Sequence, residues 1–196
     1  MGRQRKRLEH GASVAAVIPP LVQRALALAE RSGFERSCSA DAGRLLQVLA
    51  GQRGRTRVGE IGTGCGVGSA WILSALAPET PFLTVELDPE RAAAAAELLA
   101  DDEHARVLQG DWGDLLPAEA PFDLLFADGG GQATKTNPAL LDLLAPGGTL
   151  VLDNLTPGRE GPDPVRELWM NHARLAAVEL QLSAHEAAIV GVLQAS

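Results

Sequence analysis

The chain has 196 residues, 46% of them hydrophobic, which suits one compact domain and excludes a disordered chain. Its 17 Lys+Arg and 25 Asp+Glu give a formal net charge of -8; with Arg3, Arg5, Lys6 and Arg7 set aside, 13 cations face 25 acids. So acidic a body repels a phosphate backbone, and no apolar run reaches the roughly 18 residues that a spanning helix needs.

The basic start is not followed by the apolar stretch of a secretory signal, because Glu9, His10 and Pro19-Pro20 interrupt it. A cytoplasmic protein is therefore expected, with no membrane or nucleic-acid partner and with residues 1–12 as a flexible basic arm. Cys38 and Cys65 have no metal-knuckle spacing and read as reduced thiols. His10, His104, His172 and His185 lie in unrelated segments and form no ligand pair.

Residues 13–55 predict N-terminal helices, from about Val14 to Glu30 and from about Asp41 to Ala50. From 56 to 196 short apolar runs alternate with amphipathic segments. The runs are Val58–Ile61, Phe82–Val85, Arg106–Leu108, Phe122–Ala127 and Thr149–Leu152. Between them, helices are expected over Val67–Leu76, from Asp88-Pro89-Glu90 to about Ala100, over Asn137–Leu144 and over Asp163–Arg174. Strands near Ala176–Leu182 and Ala187–Leu193 are separated by four residues, too few for a crossover, so they form an antiparallel hairpin. The fold class is α/β: a Rossmann-like, doubly wound, mostly parallel seven-stranded sheet ending in that hairpin, in a single domain.

Glu60-Ile-Gly-Thr-Gly-Cys-Gly-Val-Gly68 joins the first strand to its helix, and such glycines let a ligand approach the main chain closely. A dinucleotide fingerprint would need glycine at 67, where Val67 stands; the spacing is Gly62-x-Gly64-x-Gly66. Glu86 ends the second strand 24 residues after Gly62, where it can accept bonds from ribose hydroxyls, and no phosphate-binding Lys follows the loop. A nucleoside without pyrophosphate, such as S-adenosylmethionine, fits better than NAD.

Asp128 ends the fourth strand and Asp153-Asn154 the fifth, on the rim where open parallel sheets bind ligands. Two carboxylates and one amide oxygen form a hard, oxygen-only set suited to Mg²⁺, Mn²⁺ or Ca²⁺. An acceptor with adjacent oxygens could chelate such an ion, which would lower the pKa of its hydroxyl.

The order Glu-Ile-Gly-Thr-Gly, Val-Glu-Leu-Asp-Pro, Gln-Gly-Asp, Leu-Phe-Ala-Asp and Pro-Gly-Gly…Leu-Asp-Asn resembles the class I S-adenosylmethionine-dependent methyltransferases. More narrowly it is similar to the cation-dependent O-methyltransferases of the catechol and caffeoyl-CoA type. The resemblance implies that Glu60, Gly62, Gly64, Gly66 and Ser69 border the methionine part of the cofactor, that Glu86 holds its ribose, and that Asp111 and Trp112 border its adenine. It places Asp128 at both cofactor and metal and implies a metal held by Asp128, Asp153 and Asn154. It also implies a small hydroxylated acceptor and a homodimer. The family has a Lys three residues after the first metal Asp; here Gly131 stands in Gly129-Gly130-Gly131, and Lys135 is the nearest substitute as catalytic group. The triple glycine suggests a lid. Two alternatives stand beside this reading: an RNA methyltransferase using the basic arm, and an adenosyl-ligand-binding protein without catalysis.

Overall fold

A computed structural model describes residues 17–195. Helix α1 (Pro20–Arg31) starts at the second of two prolines, since Pro19 cannot sit inside a helix but Pro20 suits its first turn. The expected start at Val14 is thus corrected for residues 17–19, which are not helical; Val14 to Ala16 and the basic arm lie outside the described residues. Helix α2 (Ala40–Ala50) is capped by the Ser39 hydroxyl, which accepts from the Ala42 N–H at 3.1 Å.

The alternating part follows as β1 (Val58–Ile61), α3 (Val67–Leu73), β2 (Phe82–Glu86), α4 (Pro89–Leu99), β3 (Ala105–Gln109), α5 (Trp112–Leu115) and β4 (Phe122–Ala127). Then come α6 (Gly131–Lys135), β5 (Leu144–Leu155), α7 (Pro164–Met170), β6 (Leu175–Gln181) and β7 (Ala187–Leu193). The seven strands form one sheet in the order β3-β2-β1-β4-β5-β7-β6, parallel except for β7, which runs antiparallel to both neighbours. The Rossmann-like expectation holds, hairpin included.

Period-2 alternation divides the strands between two cores. Val58, Phe82, Leu124, Phe126 and Val151 face α1–α4, whereas Ile61, Leu83, Leu125, Leu150 and Leu152 face Trp169 of α7 and the segment Leu140–Leu144. The helix expected over Asn137–Leu144 is instead a 3₁₀ turn at Pro138–Leu143, capped by Asn137. Three of its leucines are buried in quick succession, which the tighter turn accommodates, and β5 already begins at Leu144. Among the described residues no helix is long and apolar enough to cross a membrane.

Packing of the accessory helices onto the sheet depends on Gly43. A Cβ there would lie 2.2 Å from the indole of Trp71, itself buried between α2 and α3. Gly43→Ala would gain about 1 kcal/mol of helix propensity, but overpacking costs about 1–3 kcal/mol, and the ring has no solvent to move into. The variant is expected to unfold at lower urea concentration than the natural chain; an equal or higher midpoint would show that the indole relocates without cost.

Candidate active site

Strand order reverses beside β1, and at the carboxyl ends of β1, β2, β4 and β5 lies a cleft of about 1010 Å³. Two backbones meet on its floor. Gly62 (φ +89°) lies so close to Gly129 that a Cβ on Gly62 would come within 2.3 Å of the Gly129 Cα, and one on Gly129 within 2.5 Å of the Gly62 Cα. This contact accounts for the first glycine of Gly129-Gly130-Gly131, and Gly130 forms the left-handed cap of α6. Packing and capping thus account for the first two glycines, and the third has a left-handed backbone, φ +59°.

Gly64 is tied to the end of β2: its N–H donates to Glu86 Oε2 at 2.8 Å. The other carboxylate oxygen of Glu86 accepts from the Asp88 N–H at 3.0 Å and from Arg91 Nη2 at 2.8 Å. Arg91 in turn stacks over the ring of Phe34, 5.5 Å from its centroid, and Phe34 packs on Gly64. The segment Phe34–Cys38 thus lines the cleft beside the glycine loop. Sequence reasoning missed these residues. Arg91 had one signal, as the nearest cation after Glu86 on the helix that Asp88 caps; Phe34 had none, because it lies in an irregular connection.

Asp111 lines the cleft but its carboxylate accepts from the Gly113 N–H at 2.7 Å, capping α5. Trp112, half-buried, borders the same cleft and donates from Nε1 to Thr134 Oγ1 at 3.2 Å.

Glu60 is buried at 1% exposure at the inner edge of the cleft. Its Oε2 accepts from the hydroxyls of Ser69 and Thr84, the latter at 2.7 Å. Burial pushes its pKa up to about 8; the two hydroxyl bonds oppose this, and the charges of Asp128 and Asp153 add to it. The expectation that Ser69 contacts the cofactor is corrected here. Ser69 is fully buried and its hydroxyl is spent on Glu60, so it braces the loop from behind.

The three expected oxygen ligands do come together. Asn154, at φ 55°, donates from Nδ2 to Asp128 Oδ1 at 2.7 Å and to Asp153 Oδ1 at 3.3 Å. Lys135 joins them: its side chain is buried, and Nζ lies 2.7 Å from the Asp153 carbonyl oxygen and 3.4 Å from its Oδ1. Burial raises the Asp153 carboxyl, the Asp128 charge raises it further, and Lys135 opposes both. Asp128 is likewise raised by burial and lowered by Lys135. Cys38 lines the cleft within reach of this field, so burial and the charges of Asp153, Asp128 and Glu60 hold its thiol protonated.

As donor types, Asp128, Asp153 and Asn154 suit a divalent ion, and Asp153 Oδ2 is buried with no hydrogen-bond partner; the cationic position beside Asp153 Oδ1, however, is taken by Lys135. Among the described residues no three His, Cys, Asp or Glu side chains gather as a metal group, and His104, His172 and His185 stay apart.

Residues 60–155 match the sequence family described as a methyltransferase domain. A protein of Mycobacteroides abscessus named as an O-methyltransferase is 32% identical over 132 residues, covering 62% of this chain and 60% of the relative. One of Mycolicibacterium vanbaalenii, named likewise, is 28% identical over 165 residues, covering 79% and 70%. The chain thus spans about 60% of the length of the first of these relatives. Among solved structures, cofactor-bound Rv0187 from MTB superposes with a TM-score of 0.80 at 26% identity over 94% of both chains. The Bacillus cereus O-methyltransferase in complex with SAH superposes at 0.78 and 22% identity, over 92% of this chain and 94% of that one, a likeness of fold.

The raised pKa of Glu60 has a stability consequence. The unfolded chain loses this proton near its ordinary value of 4.5, whereas the folded chain keeps it up to about 8. The contribution is fully present below about pH 4.5 and is lost as pH rises through about 8. Glu60→Gln, neutral at every pH, should flatten the decline of Tm between these limits. Identical slopes for the variant and the natural chain would show that Glu60 is ionised in the fold.

Proposed function

We propose that the chain is a class I S-adenosylmethionine-dependent methyltransferase, similar to the O-methyltransferases, and that it methylates a hydroxyl of a small, catechol-like acceptor with S-adenosylmethionine as donor. One observation carries the reading: the glycine loop, Glu86, Asp128 and Lys135 all line one cleft.

The donor fits the cleft on the chain's own features. Gly62, Thr63, Gly64 and Cys65 line the part of the cleft assigned to its methionine part, with Glu60 at the inner edge, while Gly66 packs against Leu98 outside the lining. A carboxylate offers about four lone-pair sites. Three on Glu86 are taken by Gly64, Asp88 and Arg91, which leaves one for a ribose hydroxyl. Asp111 and Trp112 border the place assigned to adenine. When bound, the sulfonium supplies an electrophilic methyl carbon, and its sulfur keeps the electron pair of the broken carbon–sulfur bond.

The chain's part is to orient the acceptor and take its proton. Asp128 is half-exposed to the cleft with Oδ1 held by Asn154, so its second oxygen accepts the hydroxyl proton. Lys135 provides positive charge beside the developing oxyanion. No step is assigned to a divalent ion. With Lys135 in the site, the non-catalytic reading loses the ground on which it stood, the glycine at 131.

Cytoplasmic residence is supported by two free, buried thiols, Cys38 and Cys65. A homodimer is supported by the uncovered sheet face on which Val178 and Val192 are 50% and 40% exposed; Val178→Asp would then yield monomers in sedimentation.

Titration with S-adenosylhomocysteine tests the donor site. Glu86→Gln should weaken binding by about tenfold, the worth of about 1.4 kcal/mol in a charge-assisted bond. Asp128→Asn should bind S-adenosylhomocysteine within a few-fold of the natural chain and lose about 10²–10⁴ in turnover of a catechol. Undiminished turnover would remove Asp128 from the chemistry, and no binding of S-adenosylhomocysteine would remove the function.

A further inference from the structure

Four contacts define what holds the carboxylate pair at the end of β4 and β5. Lys135 Nζ donates to the Asp153 carbonyl at 2.7 Å and lies 3.4 Å from Asp153 Oδ1. Asn154 donates to both carboxylates, 2.7 Å to Asp128 and 3.3 Å to Asp153. Asp128 and Asp153 also share a side-chain hydrogen bond, and of the two donors beside them one carries a full charge that solvent barely reaches, since Lys135 is 7% exposed.

The lysine is anchored at both ends. The backbone carbonyl of Lys135 accepts from Trp169 Nε1, and Trp169 is fully buried on α7. Thr134, the residue before it, accepts from Trp112 Nε1 at 3.2 Å. The helix that delivers the ammonium is therefore clamped by two tryptophans from different elements. A divalent ion on Asp128 and Asp153 would have to sit about 2.0–2.6 Å from their oxygens. Nζ already lies against Asp153, so ion and ammonium would be like charges a few ångströms apart in a buried place.

We propose that the ammonium of Lys135 is the built-in cation of this site: held against Asp153, it supplies the charge that a divalent ion on Asp128 and Asp153 would bring, keeps such an ion out, and lets methyl transfer run without one. The proposal rests on the O-methyltransferase reading for its catalytic half only. Exclusion of the ion is a binding property and is measurable whether or not an acceptor is known.

The experiment uses the full chain saturated with S-adenosylhomocysteine, and Mn²⁺ as the probe, followed by electron paramagnetic resonance and calorimetry. The natural chain is expected to bind no Mn²⁺ below about 1 mM, the weak end of oxygen-ligand sites. Lys135→Met, which keeps the length of the side chain and removes the charge, is expected to bind it at least tenfold more tightly, and Lys135→Gln serves if the first variant does not fold. Catechol methylation by the natural chain should be unchanged by EDTA, whereas Lys135→Met should be slow in EDTA and faster with Mg²⁺. Mn²⁺ bound by the natural chain as tightly as by the variants, or natural activity abolished by EDTA and restored by Mg²⁺, would overturn the proposal. Failure to bind S-adenosylhomocysteine would instead overturn the methyltransferase reading and leave the Mn²⁺ comparison standing.

Discussion

The backbone contact between Gly62 and Gly129 is the constraint on which the site depends. β1 and β4 are neighbours in the sheet, so the connections that leave them have to cross above its edge. Without a Cβ on either glycine, the two connections pass against each other, and the Asp128 and Gly129 N–H groups both donate to the Ile61 carbonyl, at 3.0 and 2.7 Å. Asp128 is thereby one residue from the contact that ties its strand end to the glycine loop. A methyl group on either glycine would force the loops apart and open a gap in the floor of the cleft.

Several carboxyl groups crowd this floor, and each is made tolerable in a different way. Glu86 is paired with Arg91 and two N–H groups. Glu60 has no cation and is served by hydroxyls, which is why burial dominates and holds a proton on it. Asp153, with Oδ2 buried and unpartnered, relies on Lys135. The distribution leaves one carboxylate, Asp128, open to the cleft with a cation close behind it. In the proposed reaction, that asymmetry is what would let one of several neighbouring acids act as a base.

The sheet was legible because burial on both faces writes itself as short apolar runs, and the four-residue gap before Ala187 forced the hairpin. The glycine loop and Glu86 were legible from spacing alone. What escaped was side-chain direction. Ser69 is one residue beyond Gly68, but one step along a helix turns about 100°, enough to point its hydroxyl inward to Glu60. Asp153 and Asn154 are adjacent on a strand, where successive side chains point to opposite faces. Only the left-handed turn of Asn154, φ 55°, brings its amide back to the carboxylates, and spacing carries no trace of it. The 3₁₀ turn over Pro138–Leu143 escaped for another reason: a buried leucine run fits either helix period until the length available decides.

The position of the lysine follows from the same backbone geometry. Residue 131 has φ +59°, unfavourable for any side chain, and a Cβ built there meets nothing within 4 Å. A lysine at that position would be strained at its backbone and would start from a point with no packing to guide it. Residue 135 is four positions on, about one helical turn along α6, where the chain is held by Trp169 and the side chain is enclosed. Moving the cation by that turn takes it from the rim of the cleft to the buried flank of Asp153. The glycine at 131 and the lysine at 135 are therefore a single arrangement: the first lets the chain take the left-handed turn into α6, and the second returns the charge that position 131 does not carry.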